Sequence, residues 1–379
     1  MGEMSSPPFV VADIVVRESN CNLSCTYCLT GQSNFKSEHS LLGIFAPPTK
    51  FDCGPQTELG RRLRSILRAP AEARTPVVKL SGGEFMLIEG SDELVEEIAP
   101  SYETVVLLTN GMPLTQTRCA RLRSLGNIVL QVSIDATRHS GNSYRCPDEA
   151  THHAAMSRLH GILKSGIPTE IYLVLHDRSM PSLRDTLDDL MPYSGALTVF
   201  PFPVRGPDRS SFQPTPEQQR TLLEVVEHAS RWEGLLPGTP YLERLRRFYV
   251  DAGRRFSCHL PRVAFTAFDD GVVTNCPNIW FNHADNLLQK PVAEVYRTLT
   301  DAPFRRLLLA PAPRIDACRG CYTPWDPVSL YFEDQLSLQE LGRIPMYRGP
   351  RTLDALAAAK AALGPHHRAS TATAPGLDS

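Results

Sequence analysis

Six short, β-branched runs recur in the first part of the chain, at residues 9–19, 76–84, 103–111, 127–135, 169–177 and 196–204. Stretches near 56–69, 91–99, 114–125, 150–165 and 181–192 separate them. These stretches carry apolar residues three and four positions apart, the spacing of a helix that covers a sheet. Strands that alternate with helices pair through crossovers, which predicts a parallel sheet in an α/β fold. The loops leaving the strand C-terminal ends then gather on one face, where barrels and doubly wound sheets place their chemistry. The polar signatures of this chain stand at those ends. A Pro/Gly-rich stretch, RGPDRSSFQPTPEQ, leads into further helices, and a cysteine-bearing region begins near Cys258. At 379 residues and 42% hydrophobic, the chain has material for one large unit and a smaller one.

Composition excludes more than it selects. With 39 basic and 41 acidic residues, the formal charge is -2, and no block of like charge suggests a nucleic-acid footprint or a polybasic membrane patch. The opening MGEMSSPPFVVADIVV lacks a basic n-region, and Asp13 interrupts its apolar stretch, so it fits neither a signal peptide nor a membrane span. Gly2 and Ser6 fit the myristoylation pattern, which is too short to carry weight. A cytoplasmic protein is expected. Ten cysteines in such a protein imply reduced thiols that serve metal binding or catalysis. The tail GPHHRASTATAPGLDS is read as disordered for want of apolar surface.

Three thiols stand in CNLSCTYC, as Cys21, Cys25 and Cys28, on the loop after the first run. This C-x3-C-x2-C spacing suits three irons of a cubane cluster and leaves the fourth iron open to an exchangeable ligand. A structural zinc site needs a fourth close ligand, and the local candidate, His39, stands at no familiar knuckle spacing. SGGE (81–84) reads locally as a tight strand-to-helix turn, and TNG (109–111) as a turn of ordinary composition. A second set of thiols comprises Cys258, Cys276, Cys318 and Cys321. RVAFTAFDDGVVTNC, in its midst, reads as two short strands around an Asp-Gly turn. Four thiolates can ligate one 4Fe–4S cluster or one zinc ion.

CNLSCTYC after the first strand, with SGGE after the second, resembles the radical S-adenosylmethionine (radical SAM) enzymes. The resemblance spans residues 9 to about 325 and implies a partial (β/α)6 TIM-like barrel. It also implies a 4Fe–4S cluster on Cys21, Cys25 and Cys28 whose open iron chelates SAM, and cleavage of SAM to a 5'-deoxyadenosyl radical. Gly82, Gly83 and Glu84 would then lie against the methionine ammonium. Ser133, Asp135 and Arg145, in QVSIDATRHSGNSYR, resemble the family's S-x-D and carboxylate-binding arginine. Thr109 and Asn110 fall near the ribose by the same resemblance, and Tyr27 beside the adenine. Cys258, Gly271, Cys276, Cys318 and Cys321 resemble the twitch and SPASM extensions, which hold auxiliary iron–sulfur clusters. The three further cysteines of a full SPASM pattern are missing, which favours twitch and a single auxiliary 4Fe–4S cluster.

The expected organisation is an arm at 1–8, a radical SAM core at 9–235, a twitch-like domain at 236–345, and a C-terminal helix and tail at 346–379. Cys53, Cys119 and Cys146 remain. Cys119 falls mid-helix, while Cys53 and Cys146 fall on the active face as candidate hydrogen-atom donors. With only 20 residues before Cys21, a leader-peptide module is not expected. The resemblance therefore points to dehydrogenation, or epimerisation, of a carbon on a sugar or aminocyclitol, with a flavodoxin- or ferredoxin-type electron donor. Peptide maturation and a non-catalytic metal-binding scaffold are the alternatives, and nucleic acid and membrane are not expected as partners.

Overall fold

All six runs are strands in the computed structural model, which describes residues 9–28 and 50–363. They are β1 (Val11–Val16), β2 (Val77–Gly82), β3 (Thr104–Thr109), β4 (Ile128–Ile134), β5 (Thr169–Leu175) and β6 (Leu197–Pro203). Each pairs in parallel with the next, and the sheet does not close. Its strands are buried almost throughout, which explains runs of Val, Ile and Leu rather than strict alternation. The crossovers are α1 (Glu58–Glu72), α2 (Ser91–Ile98), α3 (Gln116–Ser124), α4 (Glu149–Ser165) and α5 (Leu183–Leu190), so the helical patterns in the sequence are realised nearly residue for residue. Thr57, Thr115 and Asp148 cap α1, α3 and α4 by accepting from backbone N–H groups of the first turn.

Beyond β6 lie α6 (Pro216–Glu227) and α7 (Thr239–Val250), then the expected hairpin, β7 (Ala264–Phe268) and β8 (Val272–Cys276), followed by β9 (Ile279–Asn286). Gly271 turns the hairpin at φ +83°, where a Cβ would meet Asn286 Oδ1 at 2.5 Å. The pairing of β7 was not foreseen. It lies parallel to β1, so one nine-stranded sheet runs from β6 through β1 into the hairpin, in the order β6-β5-β4-β3-β2-β1-β7-β8-β9. Arg17 and the backbone of Glu18, just past β1, both donate to Asp269 in the hairpin turn, at 3.1 and 2.7 Å. The second set of cysteines is thereby fixed to the strand that carries the first.

The last described segment packs at the N-terminal end of the strands. After α8 (Val292–Asp301) and α9 (Asp326–Phe332), Met346 and Tyr347 are buried at the N-terminal end of the strands. There the Met346 N–H donates to Glu170 at 2.8 Å, and α10 (Pro350–Ala361) begins on Glu103. The Glu103 carboxylate accepts from the N–H groups of Arg351 and Thr352, both at 2.8 Å, and from the Thr352 hydroxyl at 2.6 Å. The expected C-terminal helix is therefore present as a cover for that end of the barrel. The arm at 1–8, His39 and the tail from 364 lie outside the described residues. Among the described residues no helix is long and apolar enough to cross a membrane.

Glu103→Ala leaves the first turn of α10 uncapped. Its unfolding free energy in denaturant should fall by about 1–3 kcal/mol, with loss of protection from hydrogen exchange concentrated in residues 345–361.

Candidate active site

The loop after β1 is pinned at both ends. The Thr26 N–H donates to Tyr144 O at 2.9 Å, and the Glu84 N–H donates to Asn20 O at 2.7 Å. Cys21 and Cys25 between these anchors, and Cys28 just past Thr26, are half-buried near one another. Asn110 Nδ2 donates to Cys21 Sγ at 3.7 Å and to Asn22 Oδ1 at 2.7 Å, and Arg145 donates to Cys25 Sγ at 3.6 Å. Burial pushes the Cys25 thiol up to about 12, with the Arg145 guanidinium acting against it. A thiolate at this position therefore needs positive charge beside it, which iron would supply.

At the end of β2, Gly82 packs so closely on β1 that a Cβ would meet Val16 O at 2.4 Å. The Gly83 N–H donates to Ser19 Oγ at 2.8 Å, so the two glycines serve close approach of two strand ends. Glu84 points inward and is fully buried. It accepts from the N–H groups of Asn110 (2.6 Å) and Met86 (3.3 Å) and from the Thr109 hydroxyl, and burial raises its carboxyl to about 7. The SGGE and TNG signatures are thus one hydrogen-bonded unit behind Cys21.

Asp135, just past β4, gathers the other side. Its carboxylate accepts from the Tyr27 hydroxyl, from Arg145 Nε at 3.1 Å and from His176 Nε2 at 3.2 Å. His176 Nδ1 accepts from the N–H groups of Arg178 and Ser179, so the ring proton is on Nε2 and the imidazole is a neutral donor. Arg145 also donates to the Tyr27 hydroxyl at 2.7 Å. The Tyr27 ring is buried against His176 and Phe212. His176 was missed in the sequence, although LVLHD places it at the end of a β-branched run, where the chain's other polar signatures also stand.

A cavity of about 220 Å³ opens beside these groups, with Cys25, Cys28, Gly82, Ser133 and Arg145 at its edge. Deeper along the strands it reaches Asp13 of β1 and Lys79 of β2, which are register partners. Arg205, Asn278, Trp280 and Trp325 supply the wall toward the hairpin. None of these six was singled out from sequence, because each is a lone residue in an apolar strand or an irregular loop. Cys53 and Cys146 do not line this cavity. Cys53 donates to Glu89 O under α1, and Cys146 lies on Asn142 near the start of α4, with burial raising the thiols to about 12 and about 11.

The second set of cysteines converges as well. Cys258, Cys276, Cys318 and Cys321 line one small cavity with Arg254, at the hairpin end and the turn Asp316–Arg319. Among the described residues no three His, Cys, Asp or Glu side chains close to the spacing of a single metal ion. Four thiols around one cavity could ligate one cluster or one zinc ion. Asn278 lines both cavities: its N–H donates to Cys276 Sγ at 3.5 Å, and its Oδ1 accepts from Arg205.

Residues 18–190, which hold the first three thiols and both carboxylate networks, match the model of the Radical SAM superfamily. These residues carry a radical SAM domain. Among curated proteins it is 25% identical over 185 residues to Fe-coproporphyrin III synthase of Methanosarcina barkeri, covering 48% of this chain and 41% of that protein. The chain therefore spans about two fifths of that relative's length. Among solved structures, Streptococcus suis SuiB superposes with a TM-score of 0.56 at 13% identity, covering 79% of this chain and 68% of SuiB. anSMEcpe with bound AdoMet does so with a TM-score of 0.56 at 12% identity, covering 92% and 99%. These likenesses confirm the α/β barrel fold.

A radical SAM domain implies a 4Fe–4S cluster and SAM, and the residues present fit both: three adjacent thiols, a buried arginine on Cys25, and a cavity beside them. The carboxyl networks make stability depend on pH. Glu84 and Glu170 are each raised by burial from 4.5 to about 7, so between these values the folded chain binds more protons than the unfolded one and stability falls as pH rises. In cluster-free protein, denaturant titrations at several pH values should show this fall. Glu170→Gln should flatten it by that group's share, leaving the remainder to Glu84 and the other buried carboxyls that are raised, Asp13 and Glu333.

Proposed function

We propose that the protein is a radical SAM dehydrogenase that oxidises a hydroxyl-bearing carbon of a small polyhydroxylated substrate, of sugar or aminocyclitol type, to a ketone. The observation that carries this reading is Asn278, which borders both the cavity and the four-thiol site. When bound, the 4Fe–4S cluster and SAM supply a 5'-deoxyadenosyl radical. Cys21, Cys25 and Cys28 hold the cluster. Arg145, fixed by Asp135 and the Tyr27 hydroxyl, retains unused N–H donors for the methionine carboxylate. Gly82, Gly83 and Glu84 serve the methionine ammonium, Thr109, Asn110 and Ser133 the ribose side, and Tyr27 the adenine. The reducing electron comes from a flavodoxin- or ferredoxin-type donor.

Dehydrogenation removes a hydrogen atom, a proton and an electron from the substrate. Cys258, Cys276, Cys318 and Cys321 would hold a second 4Fe–4S cluster, which would supply the electron acceptor in this reading, and Asn278 lines both that thiol site and the cavity. Epimerisation needs a thiol facing the substrate. Among the described residues the cysteines lining the cavity are Cys25 and Cys28, both assigned here to the cluster. Peptide modification is the second reading, favoured by the shared fold with SuiB bound to its precursor peptide and with anSMEcpe bound to a peptide.

Anaerobic reconstitution should load about eight irons per chain, and replacing Cys21, Cys25 and Cys28 together should halve that number. Stoichiometric zinc with a single iron cluster would overturn the auxiliary assignment. Adding SAM and dithionite should release 5'-deoxyadenosine. Turnover in deuterium oxide should give a ketone, with Cys53→Ala and Cys146→Ala both active. Deuterium at an inverted carbon, lost in one of these variants, would establish epimerisation instead.

A further inference from the structure

Asp13 and Lys79 face the cavity with hydrogen-bonding capacity that the protein does not use. Asp13 is 3% exposed. Its Oδ2 accepts from the Thr266 hydroxyl at 3.3 Å, and its Oδ1 has no hydrogen-bond partner. Lys79 is 6% exposed, and its Nζ stands 3.8 Å from that same Oδ1, beyond hydrogen-bond reach. Two ring faces also stand near the ammonium, Trp325 at 4.9 Å and Tyr172 at 5.7 Å, and Arg205 and Glu170 act on it electrostatically. Burial pushes the Asp13 carboxyl up and the Lys79 ammonium down, with their mutual attraction across 3.8 Å acting against both shifts.

We propose that Asp13 and Lys79 anchor one hydroxyl group of the substrate at the inner end of the cavity, with Asp13 Oδ1 accepting its proton-bearing side and Lys79 donating to its oxygen. The geometry selects the chemistry. A single oxygen about 2.8 Å from each group spans a 3.8 Å gap. The site asks one atom both to donate and to accept, which a hydroxyl does. A carboxylate or phosphate would meet the Asp13 charge, and an ammonium would meet Lys79. Trp325 and Tyr172, buried beside the pair, offer apolar faces to the C–H surface of a sugar or cyclitol ring. The inference rests on the polyol reading of the same cavity and names the residues that would select it.

Reconstituted protein with SAM is titrated calorimetrically with myo-inositol, its fully O-methylated ether and the tripeptide Gly-Ser-Gly as probes. Saturable binding is expected for myo-inositol and not for the ether. Asp13→Asn and Lys79→Met should each weaken it by about tenfold or more, with SAM affinity as in the wild type. If a single variant is destabilised by the charge it leaves behind, Asp13→Asn combined with Lys79→Met removes both charges and should show the same loss. Failure of myo-inositol to bind, equal binding of the ether, binding of the tripeptide alone, or variants that bind like wild type would each overturn the anchor. Product analysis separates the two claims. Binding through the pair without ketone formation overturns the oxidation reading and leaves the anchor, whereas a ketone with undiminished binding in the variants does the reverse.

Discussion

Asp135 is fully buried just past β4, and its carboxylate accepts from side chains that arrive from three separate parts of the chain. Tyr27 comes from the cysteine loop, Arg145 from the segment before α4, and His176 from the end of β5. A carboxylate with so many donors is a junction: remove it, and a buried guanidinium, a phenol and an imidazole each lose a partner in a region without water to replace it. The cysteine loop has no regular secondary structure of its own in its described part. Its placement therefore depends on this junction, on the Thr26 bond to Tyr144, and on the Glu84 N–H bond to Asn20. A loop held at several points by buried polar bonds can present thiols at fixed spacing, which a cluster with fixed iron positions requires.

The sheet provides the second constraint. Because β7 pairs with β1, the hairpin bearing Cys276 is an extension of the strand that launches Cys21. The two thiol sets are fixed relative to one another through backbone hydrogen bonds and the Arg17–Asp269 pair, not through a flexible linker. Electron transfer between a substrate radical and a distant acceptor depends on such fixed separation. The wall between the cavity and the four-thiol site is short because β8 ends at Cys276 and the chain turns at once through Pro277 and Asn278 into β9.

Much of this was legible in the sequence, for identifiable reasons. The six strands and their helices follow from hydrophobic period, and SGGE, TNG and the cysteine spacings are short local patterns that survive any tertiary arrangement. The Asp-Gly hairpin was legible too, yet its partner was not, because nothing local to β7 says which edge it joins. The pair Asp13 and Lys79 was illegible for a related reason. Each looks like an interruption of an apolar run, and only the register of β1 against β2 makes them neighbours. His176 and Asn278 likewise acquire meaning only from what lies opposite them. The C-terminal segment showed a helix but no task, since Glu103 and Glu170, which receive it, are far away in sequence.

The electrostatics of the two thiol sets repeat one arrangement. Beside Cys25 stands buried Arg145, paired with buried Asp135. Beside Cys258 and Cys321 stands buried Arg254, paired with buried Asp326 at 3.1 and 3.2 Å. In each case the carboxylate cancels the net charge of the guanidinium while fixing its plane, leaving N–H groups directed at sulfur. An unpaired arginine would bring a full positive charge into a site of low dielectric, and a lone aspartate would repel thiolates. The pair avoids both, acting on sulfur as an oriented dipole. Hydrogen bonds to ligand sulfurs make an iron–sulfur cluster easier to reduce. A neutral pair with a directed donor would suit a cluster that must be reducible yet remain bound by anionic ligands.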